Sequence, residues 1–300
     1  MNARDAWIAL ASVVGVGEET FGLLLATFGH AEDVFVAVRD GRFDRWLAER
    51  READGRPPMN KGAVANLREA ATDPSSRSRD ITEMGLWTFT PLDADYPSRL
   101  RDLPAPPAVV HGLGEPATLH SERIVGVVGT RRPTPAGRAL TTRVVARLVE
   151  CGVTVVSGLA FGIDGAAHAA TLEHEGATIG VIGAGHRSPG PRAHERLRTA
   201  VVASGGAVIS EHHPQTTATR GTYPRRNRII AALADALIVI EAPRTSGALI
   251  TARIALELGR LVLVAPGRVG DWSMAGSLAV EGMMCWLSRA SSPISKGIGR

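Results

Sequence analysis

From about Val125 onward the chain repeats one unit: a short β-branched run, a Gly-rich turn, then a segment of helical length. The runs are Ile124–Val128, Val153–Val156, Ala177–Ile182, Ala207–Ile209, Ala236–Ile240 and Leu261–Val264. Between them lie helical patterns around Ala136–Glu150, Asp164–Glu175, Ala193–Ala203, Arg225–Ala234 and Gly247–Leu258. Strict alternation of strand and helix requires a mostly parallel sheet with crossover helices on both faces. The expected fold class is therefore α/β, a doubly wound, Rossmann-like sheet. Its ligands belong beyond the carboxyl ends of the strands.

Residues 1–85 read differently, as a small all-helical domain of SAM-like or helix-hairpin-helix type. Helical runs fall at Trp7–Val13, Thr20–Thr27 and Ala31–Val38, with a further helix after Asn60. The turn Val14-Gly15-Val16-Gly17 either presents backbone amides to DNA phosphates, as a hairpin between helices does, or is a simple tight turn. Asp73 to Arg79 reads as a linker, and the Pro-rich stretch from Tyr96 to Pro107 as an extended lead-in to the sheet. Residues 86–290 form the expected Rossmann-like domain, and 291–300 a loose tail.

A length of 300 residues with 44% hydrophobic and 21% charged residues excludes a wholly disordered chain. The net charge of +4 suggests an acidic partner without identifying it. Only Lys61 and Lys296 are lysines, so part of the abundance of Arg reflects coding bias and its placement is what counts. Cys151 and Cys285 have no companion spacing for a disulfide framework or a zinc site. No leader pattern or apolar run of spanning length is present, which predicts a soluble, cytoplasmic protein without membrane contact.

The turns carry the chemistry. In Tyr223-Pro224-Arg225-Arg226-Asn227-Arg228, three guanidiniums fall within four residues ahead of an apolar helical run. A helix N-terminus offers unpaired N–H groups and partial positive charge, and Arg adds forks that grip phosphate oxygens in pairs. The first strand opens into Gly129-Thr130-Arg131, where a glycine admits a close ligand and Arg131 supplies charge. The turn after Glu241 brings Arg244, Ser246 and Gly247 to another helix start, a candidate anion nest in which Ser246 also acts as cap. Taken together, Arg131, Arg225, Arg226, Arg228 and Arg244 are expected to converge on one sheet edge, which suits several successive phosphates. Asn227 shapes its turn. Phe161 and Tyr223 are candidates to stack on bases, with Phe161 equally readable as core.

Cofactor sites fail specific tests. Gly126 and Gly129 do not complete GxGxxG, the second strand ends at Ser157 where a dinucleotide site wants an acid, and no Walker sequence occurs. Asp164 and His168 are four apart, the spacing of an acid/base or metal pair, but no nucleophile motif or second ligand pair accompanies them. Asp164 reads as a helix cap. Neither a catalytic residue, a cofactor nor a metal ion is expected.

Five segments in order resemble the DNA processing protein A family (DprA, also called Smf). They are Tyr96-Pro97 with Leu100 and Pro106-Pro107; Val128-Gly129-Thr130-Arg131; Ser157-Gly158-Leu159-Ala160 with Gly162-Ile163-Asp164 and His168; Tyr223 to Ala231; and Glu241 to Thr251. The resemblance runs from about Asp93 to Gly267. It implies a non-catalytic protein that binds single-stranded DNA, dimerises, and hands the DNA to the RecA recombinase in natural transformation. The DNA-binding positions it implies are Gly129, Thr130, Arg131, Ser157, Gly158, Phe161, Tyr223, Arg225, Arg226, Asn227, Arg228, Arg244, Ser246 and Gly247. Two departures stand out. Arg187 to Pro191 replaces the family's Tyr-Pro pair, and Trp272 to Leu278 is a degraded form of its end motif. The winged-helix domain that many members carry is not expected in this chain. The alternative from another class is a nucleotide-processing phosphoribohydrolase on a related sheet, although the segment Ser246 to Thr251 lacks that enzyme's double glycine and downstream glutamate.

Overall fold

The computed structural model describes residues 2–55, 57–188, 192–219 and 221–266. The end motif at Trp272, Cys285 and the tail at 291–300 lie outside the described residues. By compactness the chain divides into a unit of Met1–Pro116, Ile182–Pro189 and Ile209–Tyr223, and a unit made of the remaining segments.

The first unit opens with six helices: α1 Ala3–Ala11, α2 Glu18–Phe28, α3 Ala31–Asp40, α4 Arg42–Asp54, α5 Lys61–Ala70 and α6 Pro74–Glu83. Leu10, Leu24, Phe35, Phe43 and Leu67 are fully buried among them. The segment expected as a linker is helix α6. Asp73 accepts the Ser76 amide at 3.2 Å and Pro74 fills the first helical position, where no N–H is needed. After α6 come β1 Trp87–Phe89, the short helix α7 Ser98–Arg101 inside the expected lead-in, and β2 Val110–Gly114. The strands β1 and β2 pair antiparallel.

The second unit carries the alternating pattern: β3 Ile124–Val128, α8 Pro135–Glu150, β4 Thr154–Ser157, α9 Ile163–Glu173, β5 Thr178–Val181, α10 Arg192–Ala203, β6 Ala207–Ser210, α11 Thr222–Leu233, β7 Ala236–Val239, α12 Ala248–Glu257 and β8 Leu261–Val264. The last part of β6 and the first residues of α11 fall in the first unit. The strands run in the order β6-β5-β4-β3-β7-β8. The ladders β4/β5, β3/β4, β3/β7 and β7/β8 are all parallel. Side chains alternate across these strands. Val127, Val155 and Ile240 pack with Ile163 and Ala167 of α9 and Val145 of α8, while Ile230 of α11 comes up against Gly126 on the opposite face. The fold is the doubly wound, Rossmann-like sheet with an N-terminal helical region.

The chain runs from β3 outward through β4, β5 and β6, then returns to the other side of β3 for β7. The order therefore reverses between β3 and β7. In open α/β sheets the crevice beyond the strand ends at such a reversal is where ligands bind.

Candidate nucleic-acid interface

At the reversal the turns are joined to one another by backbone bonds. The Thr130 amide donates to the Glu241 carbonyl at 2.7 Å, and the Ile163 amide to the Thr130 carbonyl at 3.1 Å. Glu241 is buried, and its carboxylate accepts the Thr134 amide at 2.9 Å and the Thr134 hydroxyl. Thr134 in turn caps α8 by accepting the Gly137 amide at 3.0 Å. A carboxylate at that helix start also suits the dipole. Asn227 extends the set, donating its side-chain amide to the Gly247 carbonyl at 3.2 Å. Within the next turn, Ser246 Oγ accepts the Ala248 amide at 3.3 Å.

The turn after β4 is set by buried groups. The Ser157 hydroxyl donates to the Val127 carbonyl at 2.6 Å, so it faces the neighbouring strand. Leu159 adopts φ of +48°, a left-handed conformation that costs a non-glycine residue about 1 kcal/mol. Its amide donates to His168 Nε2 at 3.4 Å. The Thr178 hydroxyl donates to the Val155 carbonyl, leaving its oxygen to accept from His168 Nδ1 at 2.8 Å. His168 is thus a neutral Nδ1–H tautomer, and burial followed by the nearby charge of Arg226 holds its pKa down to about 3. Gly162, at φ of +87°, has no room for a side chain: a Cβ there would stand 2.2 Å from the Thr130 carbonyl oxygen.

Asp164 does not cap α9, whose N-cap is Gly162. It is 7% exposed, and the backbone amides of Gly158 and Gly129 favour its charged form. Arg226 Nη1 stands 3.9 Å from Asp164 Oδ2. Burial pushes the Asp164 pKa up, opposed by Arg226, the two amides and Arg131.

The expected arginines separate. Helix α11 begins at Thr222, so Arg225, Arg226 and Arg228 lie on the helix rather than ahead of it. At 100° per residue Arg226 points away from Arg225, whereas Arg225 and Arg228, three residues apart, lie on one side of the helix about 60° from each other. Arg226 is only 3% exposed because it shares the stripe of Ile229, Ile230 and Leu233. That i, i+3, i+4, i+7 spacing was readable in the sequence. Arg131, Arg225 and Arg244 are exposed, Arg228 half-buried. Phe161 is 51% and Tyr223 38% exposed.

No group of three or more His, Cys, Asp or Glu among the described residues is placed to hold a metal ion. No single described helix is long and apolar enough to cross a membrane. The buried histidines His111 and His186 were not singled out by the motifs. His186 Nε2 approaches the His111 carbonyl at 3.0 Å, and burial first, then the charges of His186 and His213, hold the His111 pKa down to about 3.

Known proteins were compared with the chain. A "DNA processing protein DprA" of Bacillus subtilis is 39% identical over 189 residues, covering 63% of this chain and 63% of the relative. The "Protein Smf" of Escherichia coli is 35% identical over 237 residues, covering 77% of this chain and 63% of the relative. The chain thus spans under two thirds of these relatives' lengths. Among solved structures, the DNA processing protein A of Streptococcus pneumoniae superposes with a TM-score of 0.66 at 34% identity, covering 73% of this chain and 77% of that one. The DNA processing protein A of Helicobacter pylori, described for its unique single-stranded DNA binding mode, shares the fold with a TM-score of 0.58 at 24% identity, covering 68% of this chain and 96% of that one. The sequence model of the DNA recombination-mediator protein A family matches residues 87–284, and the chain belongs to that family.

Proposed function

We propose that this chain binds single-stranded DNA without regard to sequence, as a non-catalytic protein of the cytoplasm that acts in natural transformation. The carrying observation is the reversal point, where turns joined by hydrogen bonds bear the exposed Arg131 and Arg244 and Asn227 ties in the helix of Arg225. Arginines spread over several turns suit a run of phosphates better than one nucleotide. Arg225 lies in the first turns of α11, which carries no acid in its first turn. Positive charge there opposes the helix dipole, a cost that a bound phosphate removes. Phe161 and Tyr223 offer ring faces to bases, which favours single strands over duplex. The single-strand binding described for the Helicobacter pylori relative agrees with this assignment. By the same resemblance the protein acts as a homodimer and loads the RecA recombinase.

A titration of oligothymidine and of its duplex over a range of salt tests binding. The expected outcome is preference for the single strand and an affinity that falls linearly, log against log, with salt. Equal affinity for duplex, or no salt dependence, overturns it. Loading is checked by whether the protein shortens the lag of RecA filament growth on single-stranded DNA.

A further inference from the structure

We infer that Asp164 and Arg226 form a buried positioning pair for the DNA-binding turns, in which Arg226 acts through Asp164 and touches no phosphate. The inference rests on the single-strand reading above. Three observations carry it.

First, the two charges are 4% and 10% exposed at their side chains and stand 3.9 Å apart, so each offsets the cost of burying the other. Second, the backbone amides of Gly129 and Gly158, the turn residues that follow β3 and β4, favour the charged form of the same carboxylate. One anion thereby fixes two turns, and Arg131 is two residues from one of those amides. Arg131 also contributes to the field at Asp164, which places its charge near the pair. Third, the guanidinium occupies the space that a side chain on Gly158 would fill. A Cβ on that residue would fall 1.6 Å from Arg226 Nη1, so the glycine exists to admit the arginine. Helix α11, with exposed Arg225, is held to the β4 turn by this contact.

The test uses the full chain and oligothymidine, measured well below the melting temperature on variants whose circular dichroism matches wild type. Asp164→Asn and Arg226→Met should each weaken binding about tenfold, because one buried charge is left uncompensated and the turns shift. The slope of log affinity against log salt should stay at the wild-type value, since no phosphate contact is lost. The double variant, which removes both charges, should recover to within about threefold of wild type. Gly158→Ala, which displaces the guanidinium while keeping its charge, should behave like the single variants.

A slope smaller by about 0.7 in Arg226→Met would mean that the arginine neutralises a phosphate itself. Single variants with lowered melting temperature but unchanged affinity would mean that the pair only stabilises the fold. If Arg226→Met fails to fold, Asp164→Asn decides: weaker binding at unchanged slope supports the pair, and unchanged affinity overturns it. Failure of wild type itself to bind oligothymidine would sink the single-strand reading and this inference with it, whereas normal wild-type binding with an altered Arg226 slope sinks the inference alone.

Discussion

The Leu159 amide donates to His168 Nε2 at 3.4 Å, and this bond holds a leucine in a left-handed conformation at the end of β4. Asp164 and His168 have the spacing of an acid/base pair, yet His168 spends its ring nitrogens on the Leu159 amide and the Thr178 hydroxyl, and Asp164 faces the buried Arg226. Chemistry-like spacing here serves shape.

The neutral histidine makes stability depend on pH. The folded pKa values of His168 and His111 are about 3, against an ordinary value of 6.5. Below 6.5 the unfolded chain binds protons that the folded chain refuses, so stability is full above that pH and falls as pH drops towards 3. The slope is about 1.4 kcal/mol per pH unit for each such group. Asp164, with its raised pKa, acts in the opposite sense. Urea melts between pH 7 and 5 should show the loss, and His168→Gln should flatten it by roughly half of the two-histidine slope.

Gly162→Ala should be among the most damaging single changes. The position sits at φ of +87°, and the added Cβ would press on the Thr130 carbonyl 2.2 Å away. Backbone strain and displacement of the β3 turn together cost at least ~2 kcal/mol, read as a lowered urea midpoint.

Glu241→Gln tests the link between the β7 turn and α8. The amide side chain keeps one acceptor where the carboxylate had two, so either the Thr134 amide or its hydroxyl loses its partner. A loss of about 1–3 kcal/mol is expected from the buried group left unsatisfied, measured by thermal unfolding.

Arg131→Ala and Arg244→Ala remove exposed charge without touching the core. Each should leave the melting temperature within about 1 °C and reduce the salt slope for oligothymidine by about 0.7, the share of one phosphate. Changes in the slope are read from fluorescence anisotropy at several salt concentrations.

The parallel strands were legible because a strand buried on both faces needs a short run without charged residues, rich in β-branched ones, and Ile124–Val128 matches β3 residue for residue. Helix α4 was not legible, since Arg42–Asp54 is mostly charged and buries little beyond Phe43 and Trp46. Helix α6 was misread as a linker although Asp73-Pro74 is a cap followed by a first-position proline. The short strands β1 and β2 pair across more than twenty residues, for example Phe89 with Val110, and no local pattern announces such a partner.

By itself the sequence determined the alternating sheet, the glycine and arginine turns at its strand ends, and the family. These follow from local spacing, which a periodic pattern of apolar and turn residues states outright. Only the tertiary structure decided which polar groups face outward. Arg225 and Arg226 are neighbours of equal chemistry, yet one is exposed and the other is 3% exposed beside Asp164. The difference comes from one residue's rotation on a helix whose apolar stripe must meet the sheet, and from a carboxylate 62 positions earlier in the chain waiting where the guanidinium arrives.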